Sequence, residues 1–269
     1  MISQKPIVVA NWKASNNIYK ESEKKIGLLF KNLGKDKSKV DLIIAPTFLQ
    51  LHRLKTFFKK TINLSAQDIS EFEDGSHTGE ITALSVKDSG IDCVIIGHSE
   101  KREQGDTQEV VVKKVKNAIK NNFKVILCIG EKERDDNIKY LKIIEDQIIS
   151  VFSKVDKNQY ENITIAYEPI WAINNKNNIS IDSHSLHSMV IYIRKILLEN
   201  YGDNVSKNTN IIYGGSVTVE NAQDILWNGE VQGLLIGRAS WDVDSLVNII
   251  KNIIINPKKS LLKVYGNKK

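Results

Sequence analysis

Residues able to move protons or hold anions stand directly behind short apolar runs throughout this chain of 269 residues. Asn11 and Lys13 follow PIVVA, and Gly97-His98-Ser99-Glu100 follows DCVII. Glu168 follows ITIAY, Gly214-Gly215-Ser216 follows NIIY, and Gly237-Arg238 follows GLLI. A carboxylate, an imidazole, an ammonium and two glycine-bearing turns form a set suited to taking a proton from a carbon beside a carbonyl in an anionic phosphate compound. The carboxylate removes the C–H proton, the donors hold the enediolate oxygen, and the turns offer N–H groups to phosphate. Taken singly, each has an ordinary explanation. Lys13 is then a solvated strand-end lysine, His98 a turn residue, Glu168 a surface acid, and YGGS a tight turn. Their shared place behind apolar runs is what those explanations leave over. Glu168 also precedes Pro169 and the apolar Ile170-Trp171-Ala172-Ile173, a stiff and greasy continuation that a solvated loop does not need.

Eight apolar runs recur: PIVVAN, DLIIAP, INLSAQ, DCVIIGH, KVILCIG, ITIAYE, NIIYGG and GLLIGR. They are continuous rather than alternating, as in parallel strands buried on both faces. Helical stripes lie between most of them, such as Val111, Val115, Ala118 and Ile119, or Leu186, Met189, Val190, Ile193 and Leu197 before the stop at Gly202. Eight strand–helix units without a break in composition predict an α/β protein with a single (β/α)8 barrel domain over residues 1–269. Residues 257–269 read as a basic C-terminal tail. In such a barrel the strand C-terminal ends share one rim, so the candidate residues converge. Alternation places Asn11 and Lys13 on one face and turns Trp12 to the other.

Composition narrows the alternatives. The glycine motifs of dinucleotide and nucleoside triphosphate folds do not occur. A net charge of +6 admits a nucleic-acid partner, but the basic residues are interleaved with acids, as on solvated helix faces, so none is expected. No apolar run approaches the roughly 20 residues that span a bilayer, and the first residues do not resemble a signal peptide. Cys93 and Cys128 lie in apolar runs without metal-site spacing and read as buried thiols of a reducing compartment. The expectation is a cytoplasmic protein without nucleic-acid or membrane partners.

The segments NWK, TGE, GHSEKR, CIGE, AYEPIWAI and YGGSV, in that order from about residue 6 to about residue 250, resemble triosephosphate isomerases. The resemblance implies interconversion of glyceraldehyde 3-phosphate and dihydroxyacetone phosphate, in glycolysis and gluconeogenesis, by a homodimer that needs no cofactor. It implies Glu168 as general base and a lid beginning at Pro169 that shuts water out. It implies His98 as electrophile. The neutral histidine at a helix N-terminus is a known feature of these enzymes, carried here by the likeness alone. Lys13 and Asn11 would meet the phosphate and the developing oxyanion, with Glu100 as an electrostatic partner. Backbone N–H groups of Asn174, Ser216, Gly237 and Arg238 would hold the phosphate. Thr78 would reach into the neighbouring subunit.

This chain departs from the family pattern in three places. Asn174-Asn175-Lys176-Asn177 stands where Gly-Thr-Gly-Lys is usual, Arg238 replaces a glycine, and Lys101 replaces an arginine. Asparagine tolerates left-handed backbone better than other non-glycine residues, and lysine lacks the bidentate fork of arginine. Two competing readings use the same features: another phosphate-binding barrel, such as an indole-forming one, and a catalytically silent barrel kept for binding. The first is not expected to carry the NWK, GHSE and AYEP rims together. The second sits poorly with intact Lys13, His98 and Glu168.

Overall fold

The computed structural model describes residues 5–15, 18–135, 138–173 and 181–255. The lid residues Asn174 to Asn177 and the tail at 257–269 lie outside the described residues. Each apolar run forms a strand: β1 (Ile7–Asn11), β2 (Asp41–Ala45), β3 (Asn63–Leu64), β4 (Cys93–Ile96), β5 (Lys124–Ile129), β6 (Ile163–Tyr167), β7 (Ile211–Tyr213) and β8 (Gly233–Ile236). All pairings are parallel, in the order β3-β2-β1-β8-β7-β6-β5-β4. The two ends of this sheet meet at a parallel bridge between Ala66 and Val94. There the Ala66 N–H donates to the Cys93 carbonyl at 2.9 Å, and the Ile95 N–H donates to the Ala66 carbonyl at 3.0 Å. The expected barrel is therefore the observed one.

The helices outside it are α1 (Tyr19–Leu33), α2 (Phe48–Phe58), α3 (Ala83–Asp88), α4 (Ser99–Glu103), α5 (Gln108–Lys120), α6 (Lys139–Phe152), α7 (Ser183–Tyr201), α8 (Asp203–Asn208), α9 (Ala222–Asn228) and α10 (Val243–Ile253). Both stripes read from the sequence are buried, on α5 and α7, and Gly202 caps α7 with a positive φ of 88°. Thr107 and Asp182 start these helices by accepting N–H groups two residues into the first turn. None of the described helices is long and apolar enough to cross a membrane.

Strand alternation divides the interior in two. Val9, Ala45, Cys93, Ile95, Ile126, Cys128, Ala166, Ile212 and Leu235 fill the barrel itself. Their neighbours, including Val8, Ala10, Ile44, Val94, Leu127, Ile165 and Ile236, pack against the helices. Burial on both faces is why the strand segments carry no polar alternation. The inner set continues upward on β1, β6 and β8 to Asn11, Glu168 and Gly237, so the same parity that fills the barrel also populates its rim.

Between β3 and α3 the chain makes a long excursion without regular structure. It is held from α5: Lys114 meets Asp68 at 2.7 Å, Lys113 meets Glu71 at 2.7 Å, and Lys120 meets Glu73 at 2.5 Å. Asn117 donates to the Glu71 carbonyl at 2.8 Å. Residues 113, 117 and 120 follow helical spacing, so one stripe of α5 contacts successive positions of the excursion.

Candidate active site

A cavity of about 880 Å³ opens at the strand C-terminal ends, lined by Asn11, Lys13, His98, Glu100, Glu168, Ser216, Gly237 and Arg238 among others. These are eight of the ten site residues read from the sequence. Asn174 lies outside the described residues. Thr78 is exposed on the excursion and is not part of this wall.

Lys13 sits just beyond β1 with a positive φ of 51°. A non-glycine residue in this region is held there by its surroundings, at a cost of about 1–3 kcal/mol. The holders are visible. The Lys13 N–H donates to Asn11 Oδ1 at 3.0 Å, and Gln67 Nε2 donates to the carbonyls of Lys13 and Ala45, each at 2.9 Å. The strained backbone brings Nζ to Glu100 Oε1 at 2.6 Å. Trp12 points outward into the helix-side core, as alternation required.

His98 precedes α4, the short helix expected there. Its Nδ1 accepts the Glu100 N–H at 3.2 Å. An accepting Nδ1 carries no proton, which leaves Nε2 as the ring's donor. Nε2 lies 3.6 Å from Glu168 Oε1.

Glu168 is 2% exposed, among the most deeply buried acids of the chain. Oε2 accepts the Ser99 N–H at 3.1 Å, while Oε1 is buried without a hydrogen-bond partner. Gly214 provides room for it, since a Cβ there would come within 2.7 Å of Glu168 Cγ. Cys128 belongs to the inner layer next to it. Burial, and then the Glu168 carboxylate, push the thiol well above its ordinary range, so the carboxylate has a neutral neighbour.

Four features of this rim went unassigned in the sequence reading. Gln67 and the Ser99 N–H reach the site only through the fold. Arg102 braces the end of β4, donating to the carbonyls of Gly97 at 2.8 Å and Cys128 at 3.3 Å. Glu131 had a signal, since it follows the β5 run CIG as Glu168 follows that of β6. It is fully buried and accepts from Tyr167 Oη at 2.8 Å, Trp171 Nε1 at 2.8 Å and Arg134 Nε at 3.1 Å. Burial, and then Glu131, hold the Tyr167 phenol far above its usual range, so it remains a donor. Lys101, in the position of the usual arginine, makes a long ion pair with Asp68 at 3.5 Å. Among the described residues, no three His, Cys, Asp or Glu side chains are grouped as a metal ion would require.

Fold and rim together define a (β/α)8 barrel with a buried carboxylate, an imidazole donor and an ammonium around one cavity. A family model described as triosephosphate isomerase matches residues 6–253. Three curated relatives of that name cover 92% of this chain. That of Alkaliphilus oremlandii is 38% identical over 254 residues, spanning 99% of its own length. Those of Geotalea uraniireducens and Flavobacterium psychrophilum are each 35% identical, over 255 and 251 residues, spanning 98% of theirs. The chain belongs to the triosephosphate isomerase family.

Proposed function

We propose that this chain interconverts D-glyceraldehyde 3-phosphate and dihydroxyacetone phosphate through an enediolate, serving glycolysis and gluconeogenesis in the cytoplasm. Glu168 takes the proton from one substrate carbon and returns it to the next. His98 Nε2 donates to the substrate oxygen, and Lys13 stabilises the charge that develops there. Asn11 lies beside Lys13 as an amide donor. Ser216, Gly237, Arg238 and Asn174 supply backbone N–H groups to the phosphate. The segment from Pro169 closes over it and keeps water from the enediolate.

The observation that carries this reading is the placement of Glu168 Oε1, buried and unpartnered, 3.6 Å from His98 Nε2. A base and an acid so arranged can serve the two adjacent atoms of one small substrate. Burial strengthens each of these interactions by excluding solvent.

The active form is a homodimer in which the excursion after β3 carries Thr78 to the rim of the second copy. The exposure of Thr78 in the single chain, with exposed Phe72 stacked on His77 at a centroid distance of 3.5 Å, supports it. A coupled isomerase assay with Glu168→Asp beside the parent chain tests the reaction. Robust parent activity that collapses in the variant is expected, and an inactive parent chain would overturn the proposal. Sedimentation at micromolar concentration tests the dimer, with a lone monomer as the contrary result.

A further inference from the structure

A continuous chain of polar side chains joins the turn bearing His98 to the backbone under Glu168, and none of Arg102, Gln108 and Gln147, which build it, lines the cavity. Arg102, on α4, starts it. Its Nε donates to the Gly97 carbonyl at 2.8 Å, Nη2 to the Cys128 carbonyl at 3.3 Å and Nη1 to Gln108 Oε1 at 2.8 Å. Gln108 passes the link to α6, where its Nε2 donates to Ser150 Oγ at 2.8 Å and to the Gln147 carbonyl at 3.3 Å. The Gln147 amide then takes both polar groups of the Gly130 main chain. It accepts from the N–H at 2.8 Å and donates to the carbonyl at 3.1 Å.

Both ends of this chain bear on the site. Gly97 has a positive φ of 77° and directly precedes His98, and the turn it opens presents the Ser99 N–H to Glu168 Oε2 at 3.1 Å. Gly130 lies against the Glu168 main chain, since a Cβ there would come within 1.8 Å of the Glu168 carbonyl oxygen. The acid and the base are thus fastened to opposite ends of one network. Stability alone does not call for a guanidinium at its start. All three partners of Arg102 are neutral oxygens, and burial lowers it from the usual arginine range. A desolvated cation so held is costly. What it provides is a rigid planar fork that reaches three acceptors at once.

Resting on the proposed triose phosphate chemistry, we infer that Arg102 is a positioning residue which, through Gly97 and the Gln108–Gln147 link, fixes His98 Nε2 against Glu168. It touches no substrate. Its effect falls on the step in which both groups act, and not on capture of the phosphate.

The test uses the full chain with Arg102→Gln, Arg102→Lys and Gln108→Leu. Arg194→Gln is the control. Arg194 is likewise lowered by burial and donates to the Thr209 carbonyl at 2.6 Å and Gln232 Oε1 at 2.8 Å, but ahead of β7 and β8, at the other end of the barrel. Arg102→Gln should lower kcat about ten- to hundredfold while KM for glyceraldehyde 3-phosphate changes less than about twofold. Gln108→Leu keeps the charge and cuts one link, so it should lose about three- to fivefold in kcat. Arg102→Lys should recover part of kcat, and Arg194→Gln should lose stability but keep it. Unchanged kcat in folded Arg102→Gln or Gln108→Leu would overturn the inference. So would a KM that rises as far as kcat falls, or an equal loss of kcat in Arg194→Gln. Nitrogen NMR of labelled histidine needs no turnover. The parent chain should hold the His98 proton on Nε2, and Arg102→Gln should mix the two tautomers, because the loosened turn no longer fixes the Glu100 N–H on Nδ1. An unmixed spectrum would refute the positioning role even if the parent chain fails the isomerase assay.

Discussion

Glu168 and Glu131 end neighbouring paired strands, both are buried, and their surroundings differ in every other respect. Glu131 accepts from Tyr167, Trp171 and Arg134 and is enclosed by donors. Glu168 has one oxygen on the Ser99 N–H and the other on no donor. Parity underlies the contrast. Glu131 continues the outward-facing positions of β5, where helix-side packing can supply donors. Glu168 continues the inward-facing positions of β6, where the barrel opens into a cavity. A fully satisfied buried acid organises structure, whereas one left with an unused oxygen is available for chemistry, at a cost in stability.

The sharpest way to break this contrast is Glu168→Gln. It should lower kcat about a thousandfold, in the range of a lost general base, without lowering thermal stability, because it removes a buried charge with an unpartnered oxygen. A clear loss of stability would make Glu168 structural after all. Next in size, Glu131→Ala should cost about 3 kcal/mol of folding stability in denaturant titration, because it removes the acceptor shared by Arg134, the buried Tyr167 hydroxyl and the half-buried Trp171 indole. Its effect on kcat should be far smaller than that of Glu168→Gln. The reverse ranking would collapse the distinction.

A third test asks how much burial alone perturbs an acid inside the barrel, at the end away from this rim. The Cys93 thiol is pushed up to about 11 from 9.0, chiefly by burial. The unfolded chain ionises this thiol near pH 9 and the folded chain only near pH 11, so its contribution is intact below pH 9 and is lost as pH rises to 11. About 2–3 kcal/mol should disappear across that window, and Cys93→Ala should flatten the decline. An unchanged slope would refute the assignment. Smallest of all, Trp171→Phe removes one of several donors to Glu131 and should cost about 1 kcal/mol. A loss equal to that of Glu131→Ala would mean that Trp171 alone holds the cluster.

The strands were legible because burial on both faces leaves an unbroken apolar run, which occurs eight times here. The candidate site was legible because the barrel puts whatever follows each run on one rim. Glu168 and His98 needed no contact information to be found. Gln67 was different: its two hydrogen bonds join β1 and β2 to the segment after β3, and no local pattern encodes a contact between residues 13 and 67. The positive φ of Lys13 was hidden for the same reason, since lysine gives no hint of left-handed backbone and its holders are distant in sequence. Glu131 was readable by the rule that found Glu168. What the rule lacked was a way to tell the inward parity from the outward one past the end of a strand.

The closure at Ala66 and Val94 carries a further consequence. Seven of the eight seams between staves are runs of paired residues, whereas that between β3 and β4 is clasped at one link. Across that seam the stitching passes to side chains: lysines of α5, which follows β4, are laced to the acids that follow β3. A backbone ladder is nearly indifferent to dissolved ions, but lacing made of exposed charge slackens as they accumulate. The barrel thus has one joint whose tightness is tuned by the surrounding electrolyte, and that joint adjoins both His98 and the segment bearing Thr78.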